Sequence, residues 1–183
     1  METTADSAKV MRTKRLLANK LVELMKKKSL RKISIKELCQ STQLSRAAFY
    51  LYFEDKYQLL RFCFEDEKQE WIIATQGKSL DEFISYMMDG ILEKKDFYYH
   101  LIADDPEPEQ LEIIRYAFTS LLAERLQERE KSSDESSDFK AIVCAFCVAG
   151  IIGANKYWIE QNFHIPKETV VACHRMMLAH EFE

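Results

Sequence analysis

The sequence predicts an all-α protein. The chain has four glycines and three prolines among its 183 residues, well below the roughly 12% that these two residues reach together in average proteins. It also has six valines. Because a β-sheet protein needs many turns and β-branched residues, both counts favour helices. Hydrophobic residues make up 47% and charged residues 31%, which excludes a disordered chain and suits one domain or a small domain joined to a larger one.

The first predicted helix runs from about residue 13 to residue 28. Leu17, Leu21, Leu24 and Met25 follow the i, i+4, i+7, i+8 spacing, which places them on one face of a helix. The opposite face is rich in lysine and arginine. We therefore expect an amphipathic helix with a basic outer surface.

Two short helices follow, about three residues apart. Ser34 and Glu37 have the spacing of a capping box, in which each side chain satisfies the backbone amide of the other, so a helix begins directly after Ser34. Polar residues at 41–43 interrupt it. Ser45 is the next good N-cap and predicts a second helix through about Phe53.

The rest of the chain is predicted to be a helical bundle. Turn, capping or strongly polar residues break the pattern at 77–79, 94–96, 104–106, 131–137 and 163–166. The predicted helices between these breaks are 56–75, 80–94, 97–103, 108–130, 138–162 and 167–181. Runs of this length suit antiparallel packing.

Charge is distributed unevenly along the chain. Residues 9–56 carry 13 basic and 4 acidic side chains, a net charge of +9, whereas residues 57–183 carry 13 basic and 24 acidic, a net charge of −11. Concentrated positive charge favours a polyanionic partner, because each neutralised phosphate releases counterions. The alternative is a solvated basic surface.

The residues of the basic segment resemble the DNA-binding signature of the TetR/AcrR transcriptional regulators. The resemblance lies in the stretches 33–38 (ISIKEL) and 44–56 (LSRAAFYLYFEDK). It implies a helix-turn-helix DNA-binding domain at 8–68, with the helix-turn-helix itself at about 34–53. It further implies a helical effector-binding and dimerisation domain at 69–183. One departure is Gln43, which stands where the family usually has glycine.

The resemblance also implies roles for individual residues. The expected phosphate contacts are Ser34, Ser45, Tyr52 and Lys56, and the expected base-edge contacts are Arg46, Ala47, Ala48 and Tyr50. The residue types fit these roles, since a long donor beside two small side chains allows close approach to the major groove. Phe49 and Phe53 are expected in the core.

Two further sites are expected in the second domain. Small side chains in the penultimate helix suit close packing of two long helices in a dimer, with a contact inside one chain as the alternative; they are Ala149, Gly150, Gly153 and Ala154. Aromatic side chains suit an effector pocket, with plain core as the alternative; they are Trp71, Tyr86, Phe97, Tyr116 and Trp158.

The function that the resemblance implies is sequence-specific regulation of transcription. A homodimer on a palindromic DNA operator, acting as a repressor released by a small-molecule effector, is the expected form. The alternatives are an activator of the same family and a helical protein-interaction adaptor with non-specific DNA affinity. An enzyme is not expected, since the sequence lacks a glycine-rich phosphate loop, a G-x-S-x-G elbow and an H-E-x-x-H motif. Carboxylates beside the prolines at 104–107 indicate a solvated loop.

No cofactor and no metal site are expected. Cys144 and Cys147 share one helix face and suit core packing, with a metal or redox pair as the alternative. Five cysteines, an odd number, indicate free thiols in a reducing cytoplasm. The apolar stretch from Ala141 to Ala154 is 14 residues long, short of the roughly 18 that span a membrane. We therefore expect a cytoplasmic protein with no membrane contact.

Overall fold

The computed structural model describes residues 4–127 and 136–182, and these contain helices and no strand. This confirms the predicted all-α class. The α-helices are α1 (Thr4–Met25), α2 (Ile35–Thr42), α3 (Arg46–Tyr50), α4 (Lys56–Thr75), α5 (Leu80–Glu93), α6 (Lys95–Tyr98), α7 (Pro108–Gln127), α8 (Ser137–Glu160) and α9 (Lys167–Phe182). A short 3₁₀ turn at Leu30–Lys32 precedes α2, and a π-helical turn at Tyr99–Ala103 continues α6.

The chain divides into two compact units that do not follow the order of the sequence. The first, which we call the head, comprises the chain up to Glu67 together with Asp96–Ile113. The second, the body, comprises Lys68–Lys95 and the chain from Ile114 onward. Both α4 and α7 therefore contribute residues to each unit. The predicted boundary between functional domains near residue 68 stays a prediction.

The core of the head comes from the stripe predicted on the first helix. Leu17, Leu21 and Met25 are fully buried, and Leu24 is half-buried. The remaining fully buried apolar side chains come from the 3₁₀ turn, α2, α3 and α4, and include Leu30, Leu38, Phe49, Leu59 and Leu60. This burial is what holds the two short helices in place, since helices of five to eight residues are not stable alone.

The predicted capping box at the start of α2 is half right. The hydroxyl oxygen of Ser34 accepts a hydrogen bond from the amide of Glu37 at 3.2 Å. The Glu37 carboxylate does not return to Ser34; it binds Nζ of Lys28, with both oxygens at 2.8 Å. A charge-assisted bond to an ammonium is stronger than one to a neutral amide, which explains the exchange.

In the body, α9 packs antiparallel against α5 and α8. Lys167 and Arg175 on α9 form ion pairs with Asp89 and Asp81 on α5, at 2.7 and 2.9 Å. A complete capping box, which the sequence analysis did not identify, begins α5. Ser79 accepts from the amide of Glu82, and Glu82 accepts from the amide of Ser79.

One face of α8 is apolar and exposed. Ile142 and Phe146 are 70% and 74% exposed, and Phe139, Ala149, Gly153 and Tyr157 are exposed on the same stripe. By length and composition alone, α8 could also cross a membrane, unlike the prediction from the uninterrupted apolar stretch. A single helix of this kind is weak support for a membrane protein.

Candidate nucleic-acid interface

The turn between α2 and α3 is held by a residue in the left-handed conformation. Gln43 has φ 57° and ψ 24°, as the glycine of the resembled family would, at a cost of about 1 kcal/mol for a residue with a side chain. The amide of Leu44 donates to the carbonyl of Cys39 at 3.0 Å. The departure at Gln43 therefore leaves the helix-turn-helix geometry intact.

The helix α3 presents a polar, open surface on the side away from the core. Ser45 caps it by accepting from the amide of Ala48 at 3.0 Å. Arg46, Ala47 and Tyr50 are exposed, and Ala48 is half-buried. Among the described residues, none accepts a hydrogen bond from the guanidinium of Arg46, so that group is available to an outside acceptor.

Buried aromatic side chains hold α3 against the core of the head. Phe49 is fully buried and Phe53 nearly so, as predicted, and their ring centroids lie 5.9 Å apart. The ring of Tyr50 meets Phe49 edge-on at 5.5 Å. These contacts fix the orientation of α3, because Phe49 takes the buried position of this five-residue helix and leaves Arg46, Ala47 and Tyr50 exposed.

The four residues predicted to contact phosphates differ in exposure and in the hydrogen bonds that they already make. Ser34 and Ser45 are exposed, and each hydroxyl accepts from an amide, which leaves its O–H free to donate. Tyr52 is half-buried. Lys56 is directed inward: its Nζ donates to the carbonyl of Leu30 at 2.9 Å. A phosphate contact from Lys56 requires that bond to break, and it stays a prediction.

The acidic loop at 104–107 belongs to the head and binds two of its side chains. Arg31 forms an ion pair with Asp105 at 3.0 Å, and the hydroxyl of Tyr57 donates to Glu107 at 2.7 Å. Burial, with the Glu107 carboxylate next, raises the pKa of Tyr57 to about 12. The loop is solvated, as the sequence predicted, since Asp105 is exposed and Asp104 and Glu107 are half-buried. Two of its carboxylates also bind side chains of the head.

One exposed residue beside α3 was missed by the sequence analysis. Leu51 directly follows α3 and is 79% exposed. Its exposure could have been predicted only from its spacing, because Phe49 and Phe53, two residues away on either side, were expected in the core. A leucine in this place offers an apolar contact of the type that thymine methyl groups accept.

The five aromatic residues predicted for an effector pocket do not line the cavity that the body contains, and the predicted pocket stays a prediction. Phe97 belongs to the head, whereas the other four belong to the body. Tyr86 and Tyr116 are exposed. Trp158 is buried and donates from Nε1 to the carbonyl of Ile165 at 2.8 Å. Trp71 is also buried and lies beside Gly90.

A cavity does exist in the body, with other residues around it. Its walls come from α5, α7, α8 and α9 and include Phe83, Met87, Met88, Phe118, Ile151 and His174. Its volume is about 30 Å³, measured as the space open to the centre of a water molecule. All but one of its lining side chains are apolar.

The small residues predicted for a dimer interface face in different directions. A side chain at Gly150 would come within 2.7 Å of the sulfur of Met177, so Gly150 serves the contact between α8 and α9 of one chain. Ala149 and Gly153 lie on the exposed stripe of α8, and Ala154 is half-buried. Only part of the predicted set is available to a second protein.

The thiols of α8 are part of the core of the body. Cys144 and Cys147 are both buried, and Sγ of Cys147 donates to the carbonyl of Met177 at 3.6 Å. Burial raises the pKa of Cys144, which makes its thiolate, the reactive form, scarce. Within the described ranges, no three histidine, cysteine or acidic side chains cluster as metal ligands do.

Two protein-family models match the chain. The model for the N-terminal region of bacterial regulatory proteins of the TetR family matches residues 19–62. A model described as a transcriptional regulator C-terminal region, of the TetR type, matches residues 78–179. The second match alone covers more than half of the chain.

Similar proteins agree with these matches. The HTH-type dhaKLM operon transcriptional activator DhaS of Lactococcus lactis is 25% identical over 158 residues, which cover 85% of this chain and 83% of that protein. A TetR transcriptional regulator from Streptococcus agalactiae has a solved structure with a TM-score of 0.68, 20% identity, and coverage of 97% of this chain and 99% of that one. A solved structure of the dihydroxyacetone kinase operon activator DhaS has a TM-score of 0.63, 20% identity, and coverage of 92% and 95%.

Proposed function

Because this chain belongs to the TetR family of DNA-binding transcriptional regulators, we propose that it binds a palindromic operator as a homodimer, with α3 of each copy in the major groove. Family membership confirms that the protein is a regulator of transcription and not an enzyme. The finer proposal rests on the contrast between the buried and the exposed residues of α3. One side is fixed in the core by Phe49, and the other offers Arg46 and Ala47 to solvent.

Recognition of the operator then divides into two kinds of contact. The guanidinium of Arg46 is the group for a base edge, because it can donate two hydrogen bonds to O6 and N7 of guanine. Ala47 and Ala48 permit the close approach, and Tyr50 and Leu51 supply apolar contacts. The hydroxyl groups of Ser34, Ser45 and Tyr52 donate to phosphate oxygens and set the position on the duplex.

The exposed apolar stripe of α8 supports the homodimer. A second copy related by a two-fold axis would cover Ile142 and Phe146 with the same residues of its own α8. Ala149 and Gly153 on that stripe allow the two helices to approach closely. We assign the stripe to a protein partner, since an apolar face of this extent is typical of an interface. Two reading helices about one helical turn of DNA apart, or somewhat more, would then recognise two half-sites.

The direction of regulation has two candidates. The sequence-based prediction is a repressor that a small molecule releases from DNA. An activator is the second candidate, favoured by the name of the Lactococcus lactis relative, which is described as a transcriptional activator. In either case the free thiols and the DNA target suit a protein of the cytoplasm.

Capture of random genomic fragments tests the proposal. Purified protein is mixed with fragments at about 0.15 M salt, a condition that weakens non-specific phosphate binding, and the retained fragments are sequenced. We expect an enriched palindrome. The control is the Arg46→Ala variant, which retains the charge of the other basic residues and should enrich a palindrome with a relaxed preference at one base pair of each half-site. Retention without any enriched sequence would favour the adaptor with non-specific DNA affinity and contradict the proposal.

A further inference from the structure

The acidic loop of the head lies against basic side chains of the same unit. It follows the π-helical turn and leads into α7. Asp105 binds Arg31 at 3.0 Å, and Glu107 accepts from the hydroxyl of Tyr57 at 2.7 Å. The same oxygen of Glu107 lies 4.0 Å from Nζ of Lys56. The loop therefore brings two carboxylates to two cations of the segment that carries the net positive charge.

The ammonium group of Lys56 is surrounded by partners from its own chain. Its Nζ donates to the carbonyls of Leu30 and Arg31 at 2.9 and 3.5 Å. These carbonyls belong to the 3₁₀ turn that ends two residues before Ser34, the N-cap of α2. The side chains of Lys56 and Glu107 are 18% and 27% exposed, so salt screens their attraction less than that of a surface pair. Lys56 therefore lies beside the start of α2, with its charge balanced by a carboxylate of the loop.

Other lysines at the same edge of the head have no such partner. Lys32 ends the 3₁₀ turn, Lys36 lies in the first turn of α2, and both are exposed. Neither forms an ion pair with a residue that the structure describes. A phosphate that approaches Lys32 displaces only solvent, whereas one that approaches Lys56 must replace Glu107. The acidic loop thus separates the cations that are available to DNA from one that is not.

We propose that the acidic loop is an intramolecular competitor of DNA, whose Glu107 carboxylate neutralises Lys56 in place of a phosphate and so withholds the lysine from the duplex. Carboxylates and phosphates are both charged acceptors for an ammonium group, so they compete for it. With Glu107 in place, the head makes one phosphate contact fewer and releases one counterion fewer. The pair of Asp105 and Arg31 contributes less, since both side chains are mostly exposed and such pairs are weak. The inference rests on the proposed function only in that the head binds DNA; it requires neither a palindrome nor a dimer.

The test measures the affinity of the full chain for a DNA duplex of arbitrary sequence as the salt concentration is varied. Glu107→Gln removes the charge and retains a carbonyl oxygen that can accept from Tyr57. We expect the variant to bind about five-fold more tightly at about 0.15 M salt, with the slope of log affinity against log salt steeper by about one unit. The matched control is Glu93→Gln, which changes the net charge equally at an exposed carboxylate of the body and should alter neither the affinity nor the slope.

A double-variant comparison identifies the cation that is released. Lys56→Ala is introduced into the wild type and into the Glu107→Gln chain, and it should flatten the slope by about one unit more in the second. A gain from Glu107→Gln that persists in the chain with Lys56→Ala, an equal gain from Glu93→Gln, or an unchanged slope would overturn the proposal.

A further readout uses the wild-type chain and does not depend on the folding of a variant. In protein labelled with ¹⁵N at lysine, the duplex should leave the Nζ resonance of Lys56 in place, and a shift of that resonance would contradict the proposal. Fragment capture, run in parallel, separates this inference from the proposed function. A gain from Glu107→Gln without an enriched palindrome contradicts only the operator, whereas an enriched palindrome without that gain contradicts only the competing loop.

Discussion

The helix-turn-helix of the head and the helix α8 of the body differ in what they leave exposed. The segment α2–α3 buries Phe49 and Phe53 and leaves arginine, serine and alanine side chains in solvent. In contrast, α8 leaves Ile142 and Phe146 in solvent. A polar, basic surface is complementary to phosphates and base edges, whereas an apolar one is stable only when another apolar surface covers it. The two exposed surfaces therefore suit partners of opposite chemistry.

The largest effect is expected where the reading surface is anchored. Phe49→Ala removes a fully buried ring and should lower the free energy of unfolding by about 3 to 5 kcal/mol, through lost burial and the cavity that remains. Urea denaturation followed by circular dichroism measures this. Leu51→Ala, at the neighbouring 79% exposed position, is the control and should change stability by less than about 0.5 kcal/mol. Equal effects of the two substitutions would show that Phe49 is not the anchor.

The exposed stripe of α8 can be broken without touching the core. Phe146→Glu places a charge at a position that is 74% exposed in one chain. If a second copy covers this position, the charge is buried on assembly, and the dissociation constant of the dimer should rise at least about 30-fold, or roughly 2 kcal/mol. Analytical ultracentrifugation gives the constant. Ile73→Glu, on α4 and 73% exposed, is the matched control; a similar loss there would mean that net charge, not the stripe, controls assembly.

The reading role of α3 predicts an intermediate effect. Arg46→Ala should weaken binding to the enriched operator by about 1 to 3 kcal/mol, or roughly 5- to 150-fold, and relax the preference at one base pair. Binding assays on operators with single substitutions measure both effects. A uniform loss on all sequences would assign Arg46 to phosphate instead.

Lys56 offers the matching test of a phosphate contact. If its Nζ remains on the carbonyl of Leu30, 2.9 Å away, Lys56→Ala should lower stability by about 1 kcal/mol and leave the salt dependence of DNA binding unchanged. Titration of operator affinity against salt concentration decides this. A slope flatter by about one unit would show that the side chain swings out to a phosphate, as the family resemblance implies.

The smallest expected effect is on the pH dependence of the free energy of unfolding, through His174 in the body. The pKa of His174 is lowered from 6.5 to about 4 in the folded chain, so the unfolded chain binds more protons between these values and stability falls as the pH falls through this window. From about pH 7.5 to about pH 5.5, wild-type protein should lose roughly 1 kcal/mol more than His174→Leu. Urea midpoints at the two pH values measure the difference. Equal losses in both proteins would show that His174 titrates normally.

Local signals in the sequence predicted most helix limits correctly. The predicted helix at 56–75 coincides with α4, and α2, α5, α8 and α9 begin within one residue of their predicted starts. Serine caps and polar breaks act over three or four residues, so they can be recognised without knowing what lies nearby in space. The first helix began earlier than predicted, at Thr4, because its first turns lack an apolar stripe that would indicate them.

Contacts between residues far apart in the chain could not be predicted from the sequence. The Glu37 carboxylate could accept from the amide of Ser34 or from Nζ of Lys28, and only the folded structure shows that it binds Lys28. The loop at 104–107 was predicted to be polar and solvated. Its contacts to Arg31 and Tyr57 join segments about fifty or more residues apart in sequence, so no local pattern indicates them. Likewise, Gly150 and Gly153 look alike in sequence, although Met177 lies against only one of them.

By itself, the sequence determined the all-α class, the caps that begin the short helices and the surface that α3 presents, because each follows from helical periodicity and the chemistry of neighbouring residues. The tertiary structure decided the inward direction of Lys56, the split of the predicted aromatic residues between two units, and the union of His174 with apolar side chains from three other helices. A contact of this kind depends on the register between packed helices, which arises from the whole core at once.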